Sequence, residues 1–288
     1  MEAAQLQIFE QACGDLQSAD NAVRGAAEAM LMEMRQSPSA IMAAKAALEG
    51  AESTGAKFQA ALVLKDALMR DWDSVERSQL VSLRDELLSY TANFAAQLHQ
   101  IVKQQLLRLV ALMLKRSWLE DEQGRGLIFE QASEMVASAD LEVQSLAAAL
   151  LRALTDEFSF TRQSSIGLSW EYHIQSRCLF QDNELKQTFM MALEMLQRHE
   201  AAAASVGGYQ TPEFGAWAAS WLGYPPTHPP THAATSPSCH AVVGVQKSCV
   251  LRWLAVRVLT GLVNSVLGWD FTQTSGECPW AVMLSGMS

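Results

Sequence analysis

Residues able to hold a metal or run acid–base chemistry are few in this chain and poorly spaced for it. His228 and His232, in THPPTH, stand four apart, the interval at which a helix would offer two imidazoles to one metal. Pro229 and Pro230 lie between them and forbid that helix, so the pair reads as part of a linker. The five cysteines, Cys13, Cys178, Cys239, Cys249 and Cys278, are odd in number and include no CxxC, so neither a disulfide framework nor a zinc site is indicated and a reducing compartment is expected. There is no Gly-rich phosphate loop, no GxSxG elbow, no HExxH, and no carboxylate pair spaced for acid–base work. The expectation is a protein without catalytic residues, cofactor or metal.

Charge says more. The formal net charge of −10 over 288 residues argues against a phosphate-tracking nucleic-acid binder, whose footprint would be basic, and favours protein partners. Between Gln97 and Trp118 every charged residue is positive: Lys103, Arg108, Lys115 and Arg116. At helical spacing Gln100, Gln104, Arg108 and Lys115 fall on one stripe. Between Leu119 and Glu157 nine acidic residues face only Arg125 and Arg152. A basic stripe beside an acidic segment is one way to recruit a charged protein by electrostatic steering. It is equally what a helix with two buried faces shows to water, and the residues alone leave both readings open.

Those side chains need helices to position them. From Ala3 to about Ala204 apolar residues recur every three or four positions, Ala and Leu dominate, and Pro38 is the only proline. The spacing predicts helices at about 3–17, 20–35, 38–50, 56–72, 74–92, 97–117, 125–137, 140–158 and 183–203. Ser37 and Pro38 are expected as N-cap and first helical residue, and Asp73 with Glu76 as a capping box. The stretch GAKFQAALVLKDALMRDW, 55–72, is apolar on two sides.

A weak internal repeat explains that double face. AALVLKDALMRDW (60–72), LLRLVALMLKRSW (106–118) and LAAALLRALTDEF (146–158) superimpose without gaps, aligning Leu64, Val110 and Leu150, then Leu68, Leu114 and Leu154, then Trp72, Trp118 and Phe158. Offsets of 46 and 40 residues match two-helix HEAT or armadillo units, in which each second helix packs on its own partner and on its neighbours. The expected fold is therefore all-α, an α-α superhelix or solenoid of stacked helical hairpins, with a four-helix bundle as the competing architecture. Trp72 and Trp118 are expected to close hairpin cores instead of anchoring a partner. Met30, Met32, Met34, Met190, Met191 and Met195 are expected to be packing residues.

Composition divides the chain. Helical repeats occupy 1–200, a Pro/His/Ala-rich linker or insertion 201–242, a further repeat helix ending in an aromatic pair 243–271, and an aperiodic tail 272–288. The opening MEAAQLQIFEQACGDL lacks the basic n-region of a signal or transit peptide. The window VLRWLAVRVLTGLVNSVLGW, 250–269, is interrupted by Arg252, Arg257 and Asn264, so membrane insertion is not expected.

SPSAIMAAKAALEGAESTGAKFQAALVLKDALMRDW resembles the N-terminal HEAT repeats of the importin-β superfamily, the karyopherins, in which a stretch near SP leads to an F-x-A-A-x-x-L-K helix ending in Trp. LRDELLSYTANF, VALMLKRSWLE, VQSLAAALLRALTDEFS, SSIGLSWEYHIQSRCLFQDNELKQTFMMALEMLQ and VNSVLGWDF extend the likeness over about 20–200 and 250–271. The resemblance implies a nuclear export receptor that binds Ran-GTP through the inner helices of its first repeats, encloses a folded protein cargo, meets nuclear pore proteins, and shuttles between nucleus and cytoplasm. It nominates the polar positions of those helices as Ran contacts: Lys65, Asp66, Arg70, Gln104, Arg108, Lys115 and Arg116. Superfamily members run roughly four times longer, as many stacked units require. Segments 201–249 and 272–288 do not resemble the family, which points to an alternative transcript or a gene model that stops early. A non-transport scaffold bridging other proteins, or a truncated product without its own activity, are the other readings of such a chain.

Overall fold

The computed structural model describes residues 3–159 and 167–205, with side chains in the last helix as far as Arg198. Of the linker, further helix and tail expected at 201–288, residues 201–205 continue the last helix, and 206–288, with His228, His232, Cys239, Cys249 and Cys278, lie outside the described residues. Ten α-helices and no strand make up the described part: α1 (Ala3–Asp15), α2 (Asn21–Gln36), α3 (Ala40–Gly50), α4 (Thr54–Asp71), α5 (Arg77–Asn93), α6 (Gln100–Arg116), α7 (Glu122–Ala137), α8 (Leu141–Glu157), α9 (Trp170–Asn183) and α10 (Leu185–Ser205). Among them, none is long and apolar enough to cross a membrane.

The helices pair in sequence order, α1 with α2, α3 with α4, α5 with α6 and α7 with α8, and the second members stack as a continuous row, α2 on α4, α4 on α6 and α6 on α8. This is an all-α solenoid. The bundle alternative fails because α6 touches the second helices on both sides, so contacts run along the array and do not close on a single axis. Every aligned aliphatic position of the internal repeat is fully buried: Leu64, Val110 and Leu150, with Leu68, Leu114 and Leu154 one turn on. In the α3–α4 pair, Ala40, Ala44 and Ala47 meet a partner helix lined by Ala56, Ala60 and Ala67, all fully buried. Small residues at i, i+4 and i+7 let the two backbones approach closely.

Capping holds the boundaries, with two departures from expectation. Ser53, Asp20, Asp140 and Ser169 accept backbone N–H groups at the starts of α4, α2, α8 and α9. Ser37 instead ends α2, Pro38 lies in the link, and α3 begins at Ala40 behind Ser39. Ser37 Oγ accepts the Ser39 N–H at 3.2 Å, which stabilises a turn where a helix start was expected. Asp73 sits in a three-residue 3-10 turn, Trp72–Ser74, and Glu76 precedes α5 without a side-chain cap, so no capping box forms. Gly124 is required by close approach: an added Cβ would fall 2.1 Å from the Asp121 carboxylate that caps α7 and 2.6 Å from the Arg84 guanidinium.

Helix α9 was not expected. Its buried residues are His173, Ser176 and Phe180, so two of the three inward positions are polar and the apolar period is hidden. Glu184 alone separates it from α10. The Glu184 N–H donates to the Phe180 carbonyl and the Thr188 N–H to the Glu184 carbonyl, so helical bonding runs through the joint and the pair is not a hairpin. Of the methionines, Met191 and Met195 are buried, whereas Met30, Met32 and Met190 are exposed and do not serve as packing.

The three aromatic helix ends diverge. Trp118 and Phe158 are fully buried, 4.4 Å apart between ring centres, and Phe180 stacks on Phe158 at 4.6 Å. Trp72 is half-buried at the edge of the core, so the expectation of equivalent core closures holds for two of the three. Trp118→Ala should cost about 3–5 kcal/mol in urea unfolding, the range for emptying a buried large aromatic site, and Trp72→Ala less than half of that.

Two groups, the half-buried Glu184 at the joint and the buried His173 in the first turn of α9, titrate with opposite consequences. Burial pushes the Glu184 carboxyl up to about 7, against the pull of Arg125 and with help from Glu122. Burial, with Lys115 and Arg177 nearby, lowers His173 to about 4. Between pH 4.5 and 7 the folded chain retains a proton on Glu184 that the unfolded chain has released, so this group makes stability fall as pH rises. His173 does the reverse between pH 4 and 6.5, because there the unfolded chain binds the proton. Thermal unfolding across that range should therefore show Glu184→Gln gaining stability with pH more steeply than the unaltered chain.

Candidate protein-binding surface

The seven nominated residues lie on α4 and α6, adjacent members of the stacked row. On α4, Lys65 Nζ lies 3.2 Å from Asp66 Oδ1, and Arg35 Nη1 of α2 lies 3.8 Å from Asp66 Oδ2. Arg70 reaches back to α2, donating to the carbonyls of Arg35 and Ser37, the latter at 3.2 Å, and also pairs with Asp71 at 2.5 Å. That hydrogen bond holds the Asp71 carboxyl below the usual carboxylate range. Arg70 therefore caps the C-terminus of α2, where unsatisfied carbonyls and the helix dipole favour a cation.

On α6 the four cations go to different places. Arg108 is exposed, as is Gln104 one turn earlier, and among the described residues neither makes a side-chain hydrogen bond or ion pair. Arg116 is half-buried, its guanidinium carbon 5.3 Å from the centre of the Trp72 ring. Lys103 is buried, donating to the Ala95 carbonyl at 3.0 Å with Glu142 of α8 at 3.6 Å. Lys115 is fully buried: its ammonium donates to the Glu157 carbonyl at the end of α8, stands 3.8 Å from the Glu157 carboxylate, and lies 5.5 Å from the centre of the Phe158 ring. The Tyr172 hydroxyl of α9 covers the same corner through the carbonyls of Lys115 and Arg116.

Lys115 is therefore no surface contact, and the stripe expected through Gln100, Gln104, Arg108 and Lys115 ends at Arg108. The reason lies in the acidic segment that follows. Glu142 and Glu157, two of its nine acids, are the partners of Lys103 and Lys115, so part of the charge asymmetry is satisfied inside the fold. Arg35 was missed, although its place in the last turn of α2 matches that of Arg70 in α4 and Arg116 in α6. Phe58, Leu62 and Met69 are half-buried on the same side of α4 as Lys65, and Phe58 and Met69 pack against the core.

Gln104 and Arg108, exposed on α6, and the half-exposed Lys65–Asp66–Arg35 chain of α4 and α2 can each present hydrogen-bond donors and charge to a protein surface. Comparison with known proteins places the whole stack. A family model described as Exportin-4 matches residues 1–212. The chain belongs to the exportin-4 family. An exportin-4 of Dictyostelium discoideum is 25% identical over 210 residues, a stretch that takes in 69% of this chain and 18% of that relative. The chain thus spans under a fifth of the relative's length. The exportin-4 family is one of karyopherin-like transport receptors.

Charge reversal separates the two kinds of cation on α6. Lys115→Glu sets a carboxylate against Glu157 without solvent and should lose about 3–5 kcal/mol in urea unfolding, with early loss of helical circular dichroism. Arg108→Glu should stay within about 0.5 kcal/mol, as exposed substitutions do.

Proposed function

We propose that this chain is part of an exportin-4-type nuclear export receptor, in which α4 and α6 contribute to binding Ran in its GTP form. A folded protein cargo and nuclear pore proteins would be the other partners, with shuttling between nucleus and cytoplasm as the cellular consequence. The single observation that carries the reading is the exportin-4 family match over residues 1–212. It is supported by the polar positions that remain accessible on the stacked row: Arg70, Gln104 and Arg108 are exposed, and Lys65, Asp66 and Arg116 are partly so. Lys115 is withdrawn from the proposed contact set because burial gives it no surface.

Binding through this set is electrostatic at long range and so weakens as salt rises. Ran-GTP and cargo, if both bind the receptor in one state, must each raise the other's affinity by the same factor. In a pull-down with Ran carrying a non-hydrolysable GTP analogue, the chain should retain Ran in preference to the GDP form. Lys65→Glu combined with Arg108→Glu should weaken retention about tenfold, the scale of a charge mismatch at an interface, while helical circular dichroism is preserved. Equal retention of the GDP form would overturn the Ran assignment; full retention by the double variant would remove α4 and α6 from the site.

A further inference from the structure

Helix α10 is joined to the rest of the stack by one residue of chain and by one face. Thr188, Met191, Ala192 and Met195 turn inward and are buried, and farther along Arg198 Nη1 donates to the Val136 carbonyl of α7 at 2.6 Å. At the near end the chain passes through Glu184, which alone separates α10 from α9. The Glu184 carbonyl accepts both the N–H and the hydroxyl of Thr188, each at 2.9 Å, so the main chain of the joint is satisfied. Its side chain is not. Only 13% of that side chain is exposed, and Oε1 lies 3.6 Å from Arg125 Nε, too far for a hydrogen bond. The enclosed Oε2 has no hydrogen-bond partner among the described residues.

Arg125 is held away from closing that gap. Its Nη1 donates to the Trp118 carbonyl just past the end of α6, and its guanidinium carbon lies 5.2 Å from the centre of the Trp118 ring. Glu122, earlier on α7, adds a like charge to the surroundings of Glu184. Asp182 and Lys186, its charged neighbours in sequence, are exposed to water, and Arg177 of α9 acts with Lys115 on His173 instead. An ionised Glu184 is thus enclosed with one distant cation, one anion and an oxygen without a donor, an arrangement that favours the protonated form. Burial accordingly pushes the carboxyl up to about 7. While Glu184 is neutral, Arg125 keeps the Trp118 carbonyl and ring, so the proton does not strand the cation.

We propose that Glu184 is a proton latch for α10: the docked helix keeps a proton on this carboxyl that the undocked helix releases, so α10 loosens from α7 and α8 as pH rises toward neutrality while α9 stays seated. Undocking brings Glu184 to water, where a carboxyl ionises near 4.5. Between that pH and about 7 each undocking releases one proton, and its equilibrium constant rises with pH and then levels. His173 has the reverse sign, and if α9 left together with α10 the two effects would largely cancel. His173 lies in the first turn of α9, about three turns from the joint, so movement of α10 alone engages Glu184 and leaves His173 buried. The latch rests on this joint and stands whether or not α4 and α6 bind Ran.

The test follows hydrogen–deuterium exchange in the full chain at about pH 5.5 and about pH 8, with Glu184→Gln measured beside it so that intrinsic exchange cancels. From the lower pH to the higher, amides 188–198 of the unaltered chain should lose about tenfold more protection than those of Glu184→Gln, and amides 170–180 should show no such excess. The Glu184 carboxyl carbon resonance, assigned by its loss in Glu184→Gln, should titrate in the unaltered chain with a midpoint of about 7. That second readout covers the case that Glu184→Gln itself disturbs the joint. A midpoint near 4.5, or the same pH dependence of α10 in both proteins, would overturn the latch. An equal excess in α9 and α10 would also overturn it, because Glu184 would then report on the stability of the whole stack.

Discussion

A buried cation cannot be left without a partner, and in this solenoid the partner is repeatedly supplied by the next unit. Lys115 of α6 is joined to Glu157 of α8, Lys103 of α6 to Glu142 of α8, Arg84 of α5 to Asp121 before α7, and Arg125 of α7 to Glu184 before α10. Taking such a charge out of water costs several kcal/mol, and that cost is offset only when the neighbouring repeat is docked in register. Aliphatic contacts between stacked helices are permissive about sliding by a turn, because Leu and Ala recur at the same spacing on every second helix. The cations are not permissive, because each has one set of oxygens within reach. They fix the register of a stack whose apolar surfaces would tolerate several.

The same cations finish the repeat ends. Lys115 and Arg125 each lie over an aromatic ring while donating to a carbonyl, at the end of α8 for the first and just past the end of α6 for the second. One side chain thus meets the helix dipole, the ring and the adjacent repeat together, which explains why these lysines and arginines are buried instead of merely flanking the helices. Where α5 fails to supply an aromatic, the arrangement stays open and Trp72 with Arg116 faces solvent. A departure from the repeat is thereby converted into a surface feature.

Much of the fold was legible in the sequence. The repeated Leu and aromatic positions of 60–72, 106–118 and 146–158 foretell the stacked row because double burial leaves a double apolar pattern, and its recurrence at a two-helix period favours stacked hairpins over a bundle. Helix α9 was hidden because its inward face is His173 and Ser176 as much as Phe180, so burial there follows from tertiary contact and not from hydropathy. The candidate surface was less legible for a related reason. A lysine at an outward-looking helical position can still be drawn inward by acids forty residues later, and Lys115 and Arg108 differ only in whether Glu157 is there to receive them. Sequence spacing identifies the stripe; the partner across the repeat decides which of its members reaches water.

That partner relation is most directly measured by a double-mutant cycle on Lys115→Met and Glu157→Gln in the full chain, followed by urea unfolding. The account predicts a coupling free energy above about 1 kcal/mol, with the double variant losing much less stability than the two single losses added together. Additive losses would mean that Lys115 and Glu157 do not act across the α6–α8 contact, and would contradict the claim that buried cations set the register of the stack.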